Sequence, residues 1–353
     1  MVTKTTNHNL ENLLPDRHPQ PDLFICDVAD AVLKDVMQHL EHPFYSLSKK
    51  PETCVRCYEH NGNWIEIVPS VKGLATIYDK DILIYCISQI MAKLKRGEKV
   101  SSRVRITSRD LLIFTNRGTS GRDYQALSEA LDRLEGTRIR TNIRSGEHEQ
   151  WDAFGLIDAA SVRRKNGLDG RLLWCEIKLS DWVFNAIREN EVLTLHPDYF
   201  RLRKPLERRV YEIARKHCGH QRKWKISLHT LLKKSGSQSP MKRFKYLIKG
   251  LAEGNHLPDY QVMLEDDIVV FYNRSSMGQL HSRKQLSLGL ENELFLKSDT
   301  HDKARRVAGG YDVHMLESEW REHWNRSGKP ELKSPDAAFI GFCKKRAEEH
   351  PLL

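Results

Sequence analysis

The sequence predicts an α+β fold in which one arrangement of helices and strands occurs twice and a small helical tail follows. The chain has 353 residues, more than twice the ~150 that one domain usually takes. A segment that begins at Arg103 returns, with its apolar residues in the same phase, in a segment that begins at Lys223. From about residue 311 the chain carries two amphipathic stripes. These three observations favour two similar domains and a tail.

The duplication is best seen in the phase of the apolar residues, because phase decides which face of an element is buried. At an offset of 120 residues the matched positions are Val104 with Trp224, Ile106 with Ile226, Leu111 with Leu231, and Leu112 with Leu232. At an offset of 117 they are Tyr124 with Met241, Leu127 with Phe244, Ala130 with Leu247, Leu131 with Ile248, and Leu134 with Leu251. Both copies then close with Glu-Gly, at 135–136 and 253–254.

Each copy predicts the same elements in the same order. A helix comes first, over about 79–96 or 205–217, and a short strand and a short helix around Leu111 or Leu231 follow. After a Gly/Ser turn comes a longer amphipathic helix that ends at glycine. A hairpin closes each copy, predicted at 138–144 with 151–158 and at 260–264 with 268–272, the latter turning at Asp266-Asp267. This is the order of a winged helix-turn-helix, so we predict two tandem winged-helix domains. Two unrelated α+β units that resemble each other by chance are the alternative.

The predicted boundaries follow from composition. We expect an N-terminal arm over 1–40, a first winged-helix domain over 41–192, a second over 193–275, a linker rich in Ser, Gly and Lys over 276–310, and a helical tail over 311–353. In the tail, Val313, Leu316, Trp320 and Trp324 share one stripe, and Ser334-Pro335 begins a second helix with Phe339, Phe342 and Cys343 on one face.

Composition and charge narrow the kind of partner. Lys and Arg number 57 against 47 Asp and Glu, a net charge of +10, which favours a polyanionic partner but also suits a merely basic soluble protein. No run approaches the ~18 apolar residues of a membrane span, and the N-terminus does not have the pattern of a signal peptide. The seven cysteines are scattered and odd in number, which favours a reducing compartment. We therefore expect a cytoplasmic protein without a membrane partner.

The long helix of the second copy, about 240–253, is predicted to read DNA, since a helix-turn-helix lays its last helix in the major groove. Its polar side and the residues before it carry cations, hydroxyl groups and an amide. The predicted DNA-binding residues here are Lys233, Lys234, Ser237, Gln238, Ser239, Lys242, Arg243, Lys245, Tyr246 and Lys249. Basic side chains neutralise phosphates, and an Arg such as Arg243 can also fork onto guanine. The alternative is a solvated basic face.

The first copy gives a weaker signal. Its long helix mixes Arg122 with Asp123, Glu129 and Asp132, whereas its predicted wing carries Arg138, Arg140 and Arg144. A basic wing suits contact with phosphates or the minor groove, and a helix of mixed charge equally suits a protein interface.

Several long segments resemble the plasmid replication initiator protein A family (RepA-type initiators). They are EHPFYSLSKKP from Glu41, RCYEHNGNWIEIVPSVKGLATIYDKDILIYCISQIMAKL from Arg56, LDRLEGTRIRTNI from Leu131, IKLSDWVFNAI from Ile177, and LTLHPDYFRLRKPLERRVYEIARKHCG from Leu193. The resemblance runs from about Asp22 to Arg274. It implies a tandem winged-helix initiator that binds repeated double-stranded sites at a plasmid origin and recruits host replication proteins. It also implies that the first domain contacts DNA or forms a homodimer that represses.

One short motif lies in the predicted linker. Gln285, Leu286, Leu288 and Leu290, within QLSLGL, look like the peptide that docks on a bacterial sliding clamp. An extended segment with spaced apolar anchors can fold onto a partner. Alternatively, these leucines pack against the tail helices.

Catalytic and metal motifs are weaker. The chain carries no GxxxxGK[ST] loop, and no closely spaced His-x-His is followed by a suitable Tyr, which disfavours an ATP-driven helicase and a DNA-nicking enzyme. Cys54 and Cys57 have the spacing of zinc ligands, with His217 and His220 as candidates to complete four, but ordinary thiols and solvated imidazoles are the simpler interpretation. We expect no cofactor and no catalytic activity. A transcriptional repressor with the same fold is the main alternative function.

Overall fold

The structure is a computed structural model. It describes residues 10–18, 33–48, 50–60, 63–142, 152–164, 172–276, 296–297, 300–308, 311–328, 330, 332 and 334–350. The chain divides into two compact units. The first comprises Met1–Lys216 and Lys225–Phe271, and the second comprises His217–Trp224 and Tyr272–Leu353.

The first half of the chain is a mixture of strands and helices. Its strands are β1 (Lys34–Val36), β2 (Arg56–His60), β3 (Asn63–Val68), β4 (Arg103–Thr107), β5 (Arg138–Thr141), β6 (Asp152–Gly155), β7 (Ile157–Arg164), β8 (Leu172–Leu179) and β9 (Val192–Thr194). Its helices are α1 (Met37–Glu41), α2 (Lys80–Lys95), α3 (Ser108–Phe114), α4 (Gly121–Gly136) and α5 (Asp181–Arg188). Their buried apolar side chains form one continuous core.

The second half is smaller. A 3-10 turn (Pro197–Arg201) leads into α6 (Pro205–His217), β10 (Lys223–Ser227), α7 (Leu228–Ser235), α8 (Met241–Gly254), β11 (Tyr260–Glu265) and β12 (Ile268–Asn273). The tail contains α9 (Thr300–Arg305), α10 (Val313–Arg326) and α11 (Pro335–Glu349).

The two halves share one topology. Each runs helix, strand, short helix, long helix and hairpin, as α2-β4-α3-α4-β7-β8 and as α6-β10-α7-α8-β11-β12. In both three-stranded sheets the first strand lies next to the last, in the orders β4-β8-β7 and β10-β12-β11. The element order predicted from the repeat is therefore present in both copies.

The helices begin where short polar side chains cap them. The hydroxyl groups of Thr107, Ser180 and Ser227 accept hydrogen bonds from backbone N–H groups in the first turns of α3, α5 and α7. At α4, Ser120 and Asp123 form a reciprocal capping box. Local sequence thus fixes these starts, in agreement with the predicted elements.

The predicted wing of the first half is wrong in one respect. Residues 138–141 do pair with 152–155, but these strands belong to a separate four-stranded sheet of order β2-β3-β5-β6. The hairpin that corresponds to β11-β12 is β7-β8, because β8 pairs with β4 as β12 pairs with β10. Strands β5 and β6 are an insertion, stabilised by the pairing of β5 with β3, whose buried Ile67 faces Ile139.

Two predicted segment boundaries also differ from the structure. Residues 34–40, assigned to the arm, lie in β1 and α1, and β1 pairs with β9 through Val36 and Val192. Residues 300–305, assigned to the linker, form α9, whose Ala304 is buried in the core of the tail. In each case the apolar residues are too few for a local pattern, and burial comes from distant partners.

Glycine ends the two long helices for a reason other than the predicted cap. Gly136 is the last residue of α4, and a Cβ atom there would lie 2.3 Å from the side chain of Ser70. Gly254 is the last residue of α8, and the left-handed residue that follows it is Asn255, with φ of 44°. The glycines therefore permit close approach and do not supply the left-handed conformation.

Candidate nucleic-acid interface

Helix α8 is anchored to the second half by one narrow apolar stripe. Phe244, Ile248 and Leu251 are buried, at the i, i+4 and i+7 positions of one face. Leu247 is only half-buried, and Met241 is 36% exposed. The apolar stripe predicted from the sequence is therefore too wide, and most of the circumference of α8 faces outward.

The outward face of α8 carries the predicted cations. Lys242, Arg243, Lys245 and Lys249 are all exposed, and Tyr246 is 65% exposed. We call these five residues the α8 basic face. They lie together because residues three and four apart are neighbours on a helix.

The contacts within the α8 basic face are weak. The guanidinium carbon of Arg243 lies 5.1 Å from the centre of the Tyr246 ring. Lys245 pairs with Asp267 at 2.8 Å, and Lys249 pairs with Glu253 at 3.7 Å, with all four side chains at least 47% exposed. Exposed pairs contribute little free energy, so these cations can exchange a carboxylate for a phosphate at small cost.

The segment before α8 presents the other predicted residues unequally. Lys233 and Gln238 are exposed, and Ser237 and Ser239 are half-buried in the turn between α7 and α8. Lys234 is different, because its ammonium group pairs with Glu41 and only 17% of its side chain is exposed. Lys234 is thus already engaged by the first half of the chain.

Helix α6 places α7 and α8 through a buried arginine. Arg209 is 3% exposed, and its guanidinium group donates to the carbonyl oxygen atoms of Leu40 and Lys234, both at 2.9 Å. It therefore joins the end of α1 to the end of α7. Hydrogen bonds from a charged donor to backbone acceptors are stronger than neutral ones.

A second set of buried charges joins α6 to α2. The ammonium group of Lys80 lies 2.8 Å from Asp35 and 2.5 Å from Glu212, and all three side chains are at most 1% exposed. Burial by itself would raise the pKa of Asp35, but the charge of Lys80 and the hydrogen bond with His39 outweigh it and hold this pKa below its usual value. Asp35 is therefore ionised in the core.

Arg208 forms a comparable link. Its guanidinium group donates to Asp81 at 2.7 Å, and Arg117 reaches the other oxygen of that carboxylate at 3.1 Å. Burial acts to lower the pKa of Arg208, but Asp81 outweighs it and raises this pKa above its usual value. The buried roles of these charged residues are not predictable from the sequence pattern, because charged side chains on an amphipathic helix are ordinarily solvated.

Fewer of the predicted DNA-binding residues belong to the first half. Arg122 is exposed in the first turn of α4, whereas Arg138 and Arg140 are exposed on β5, the inserted strand. Arg140 pairs with Glu66 at 3.0 Å, and Arg138 donates to the carbonyl oxygen of Ala153 at 3.3 Å. Arg144 lies outside the described residues.

The remaining predicted sites have different outcomes. The clamp-like segment with Gln285, Leu286, Leu288 and Leu290 lies outside the described residues. Cys54 and Cys57 are exposed free thiols. Within the described part of the chain, no helix is both long and apolar enough to span a membrane.

Comparisons with known proteins agree with the resemblance seen in the sequence. A profile described as "Replication initiator protein A" matches residues 34–262. A protein of Wigglesworthia glossinidia brevipalpis, named "Putative replication protein", is 40% identical over 258 residues, which are 72% of this chain and 94% of that protein. The crystallised domains 2 and 3 of RctB give a TM-score of 0.50 at 14% identity, over 67% of this chain and 98% of theirs.

Each comparison supports a different level of statement. At 14% identity, the similarity to the RctB domains shows a shared mixed α/β fold and nothing further. The profile matches well over half of the 353 residues, and the alignment with the relative at 40% identity covers almost the full length of that relative. The resemblance predicted from the sequence is confirmed: the chain belongs to the replication initiator protein A family.

Proposed function

We propose that this protein initiates plasmid replication by binding repeated double-stranded sites at the origin, with two tandem winged-helix domains of which the second reads the sequence. The observation that carries the proposal is the α8 basic face, four exposed cations and one exposed tyrosine on a helix that is packed through a single apolar stripe. Replication initiation is inferred from the family, and the α8 basic face is the surface proposed to hold the DNA.

In this proposal α8 lies in the major groove. The helix follows α7 after a short turn and precedes the β11-β12 hairpin, which is the position of the recognition helix in a winged helix-turn-helix. Lys242, Lys245 and Lys249 neutralise phosphates, and Arg243 forks onto a guanine edge. Lys233, Ser237, Gln238 and Ser239 lie at the entry to the helix, where hydroxyl and amide groups reach the backbone.

The hairpin and the first half have smaller roles in the proposal. The tip of the hairpin carries Asp266 and Asp267, so its charge disfavours contact with phosphates at the tip itself. Arg122, Arg138 and Arg140 supply weaker phosphate contacts from the first half. We also assign to the first half a homodimer contact, for which sedimentation velocity with and without origin DNA is the direct measurement.

The test replaces the four cations of the α8 basic face with alanine. The variant Lys242→Ala/Arg243→Ala/Lys245→Ala/Lys249→Ala should lose at least about 100-fold in affinity for origin DNA at 0.1 M salt. It should also lower the slope of log affinity against log salt by about 2.7, at ~0.9 for each of the three lysine–phosphate contacts. Fluorescence anisotropy on DNA flanking the gene measures both quantities.

A matched control removes the same four charges elsewhere. Lys93, Lys95, Lys344 and Lys345 are exposed on α2 and α11, and their quadruple alanine variant should change affinity only a few-fold. Equal losses in the two variants would mean that net charge alone determines binding, and the assignment of α8 as the reading helix would fail.

After binding, the initiator is proposed to open the origin and to recruit host initiator, helicase and sliding clamp. For the clamp, Gln285→Ala/Leu288→Ala should abolish pull-down of the purified clamp by the full chain. Retained pull-down would show that this segment is not the contact.

A further inference from the structure

The tail unit contains a cluster of buried side chains that has no part in the proposed DNA contacts. His301 of α9 and His314 and Glu317 of α10 are each at most 4% exposed. One nitrogen of each imidazole and one carboxylate oxygen all lie within 4.8 Å of one another. Within the described residues, this is the group of His, Cys, Asp and Glu side chains that is spaced to share a metal ion. It differs from the Cys54, Cys57, His217 and His220 set considered from the sequence.

The backbone places these three side chains together. His314 and Glu317 are three residues apart on α10, so they lie on the same side of the helix one turn apart. Asp312 caps α10, and its carboxylate accepts a hydrogen bond at 2.9 Å from the N–H group of His314. His301 comes from a separate helix, and its Nε2 lies 2.8 Å from Oε2 of Glu317. Ligands from two elements thus converge on one point.

The donor types fit a divalent transition metal. Two imidazoles and one carboxylate are the ligand set of many zinc sites in which water takes the fourth position. Ligand atoms ~2.1 Å from a zinc ion lie about 3.4 Å apart in a tetrahedral arrangement. The His301–Glu317 contact at 2.8 Å has to open slightly and the widest pair has to close by at most about 1.4 Å, which side-chain rotations can supply.

The surroundings of the cluster orient the carboxylate. Arg321 pairs with Oε1 of Glu317 at 2.6 Å, which leaves Oε2 to contact Nε2 of His301. A carboxylate whose orientation is fixed by a neighbouring group is what a metal ligand needs.

His314 is confined as well. Its ring is stacked on that of His301, with 4.9 Å between the ring centres. Gly219, at φ of 52°, lies against His314 so closely that a Cβ atom would be 2.8 Å from Nδ1. The ring therefore has little room to rotate away from the cluster.

We propose that His301, His314 and Glu317 bind one zinc ion, which joins α9 to α10 and stabilises the tail. The core of this unit is small, with eight buried apolar residues in the described part of the tail. Small cores commonly gain stability from a structural metal. The site shares no residue with the α8 basic face and does not depend on the proposed DNA contacts.

The test measures metal in the untagged full chain. To exclude zinc on exposed thiols, the background is Cys54→Ser/Cys57→Ser. After dialysis against micromolar zinc and then against metal-free buffer, inductively coupled plasma mass spectrometry should find about one zinc ion per chain. Cobalt as a substitute should give a visible d–d spectrum without the charge-transfer band of a thiolate ligand.

The variants separate metal binding from folding. Loss of a group that hydrogen-bonds to a metal ligand typically weakens metal binding 10–100-fold. Glu317→Gln keeps the size of the side chain but replaces a ligand itself, so it should weaken zinc binding by more than that. His323→Ala is the matched control, since His323 is an exposed histidine on the same helix. Zinc should raise the midpoint of thermal unfolding of the background protein and of His323→Ala, and should leave that of Glu317→Gln unchanged.

Two results would overturn the proposal. One is less than about 0.2 zinc per chain in the background protein. The other is equal retention of zinc by Glu317→Gln and the background protein, both shown to be folded by circular dichroism. Since both readouts are independent of DNA, a failure of the α8 proposal would leave this test intact.

Discussion

The two halves share a topology, but their long helices direct cations differently: α4 turns one of its two arginines inward, whereas all four cations of α8 face outward. In the first half, Arg133 of α4 turns inward and forms a two-pronged pair with Asp79 at 2.7 and 2.9 Å. In the second half, the cations of α8 turn outward, and their contacts are with exposed carboxylates or an exposed ring. The comparison teaches that one topology can carry its cations buried against the fold or exposed to solvent. The proposal assigns DNA to α8 because all four of its cations are exposed.

The largest expected effect comes from an inward cation. Lys80→Ala leaves Asp35 and Glu212 buried without their shared partner, so the free energy of unfolding should fall by about 3–5 kcal/mol. Urea denaturation followed by circular dichroism measures the change. Lys72→Ala is the control, since Lys72 pairs with Asp132 at the surface, and it should cost less than ~1 kcal/mol.

Comparable losses in the two lysine variants would contradict the inward role of Lys80. They would mean that the carboxylates around Lys80 relax or take up protons at little cost. Since α6 carries Glu212, the division of the charges into structural and binding sets would then no longer hold for that helix.

An outward cation should behave in the opposite way. Arg243→Ala should lower affinity for the origin site by about 5- to 150-fold, the 1–3 kcal/mol of one Arg–guanine contact, and lower affinity for unrelated duplex much less. The free energy of unfolding of Arg243→Ala should stay within ~0.5 kcal/mol of that of the unchanged protein, because the Arg243 side chain is exposed. Anisotropy with matched and scrambled duplexes reports the difference.

In the first half, the corresponding variant is Arg122→Ala. Arg122 is exposed in the first turn of α4, and this variant should reduce affinity for the origin site less than about three-fold. A larger loss for Arg122→Ala than for Arg243→Ala would reverse the roles of α4 and α8.

The parts of this comparison that could be predicted from the sequence are those fixed by local pattern. Helix α8 was predicted at 240–253 and is Met241–Gly254, because its apolar residues recur at helical spacing. The β11-β12 hairpin was predicted from two alternating runs around Asp266-Asp267. Helix α6 was predicted over the residues it occupies.

What the sequence did not reveal depends on partners far along the chain. The pairing that places β5 in a sheet apart from the wing is with β3, some 70 residues earlier, and the hairpin pattern of 138–158 is the same in either sheet. The contact of Lys80 with Glu212 joins residues with no local relation. The spacing of His301, His314 and Glu317 follows no short motif, and their convergence depends on how α9 packs on α10.

The smallest expected effect is at the tip of the second hairpin. Asp267→Asn removes a carboxylate that is 78% exposed and releases Lys245, so affinity for DNA should rise about two- to five-fold at low salt. The gain should vanish as salt rises, because screening weakens exposed charges first. Glu348→Gln removes one charge from a similar exposed pair with Lys344 in the tail, and should leave affinity unchanged. If both variants bind alike, Lys245 does not lie near a phosphate, and the contact surface of α8 shrinks to the side that carries Lys242, Arg243 and Tyr246.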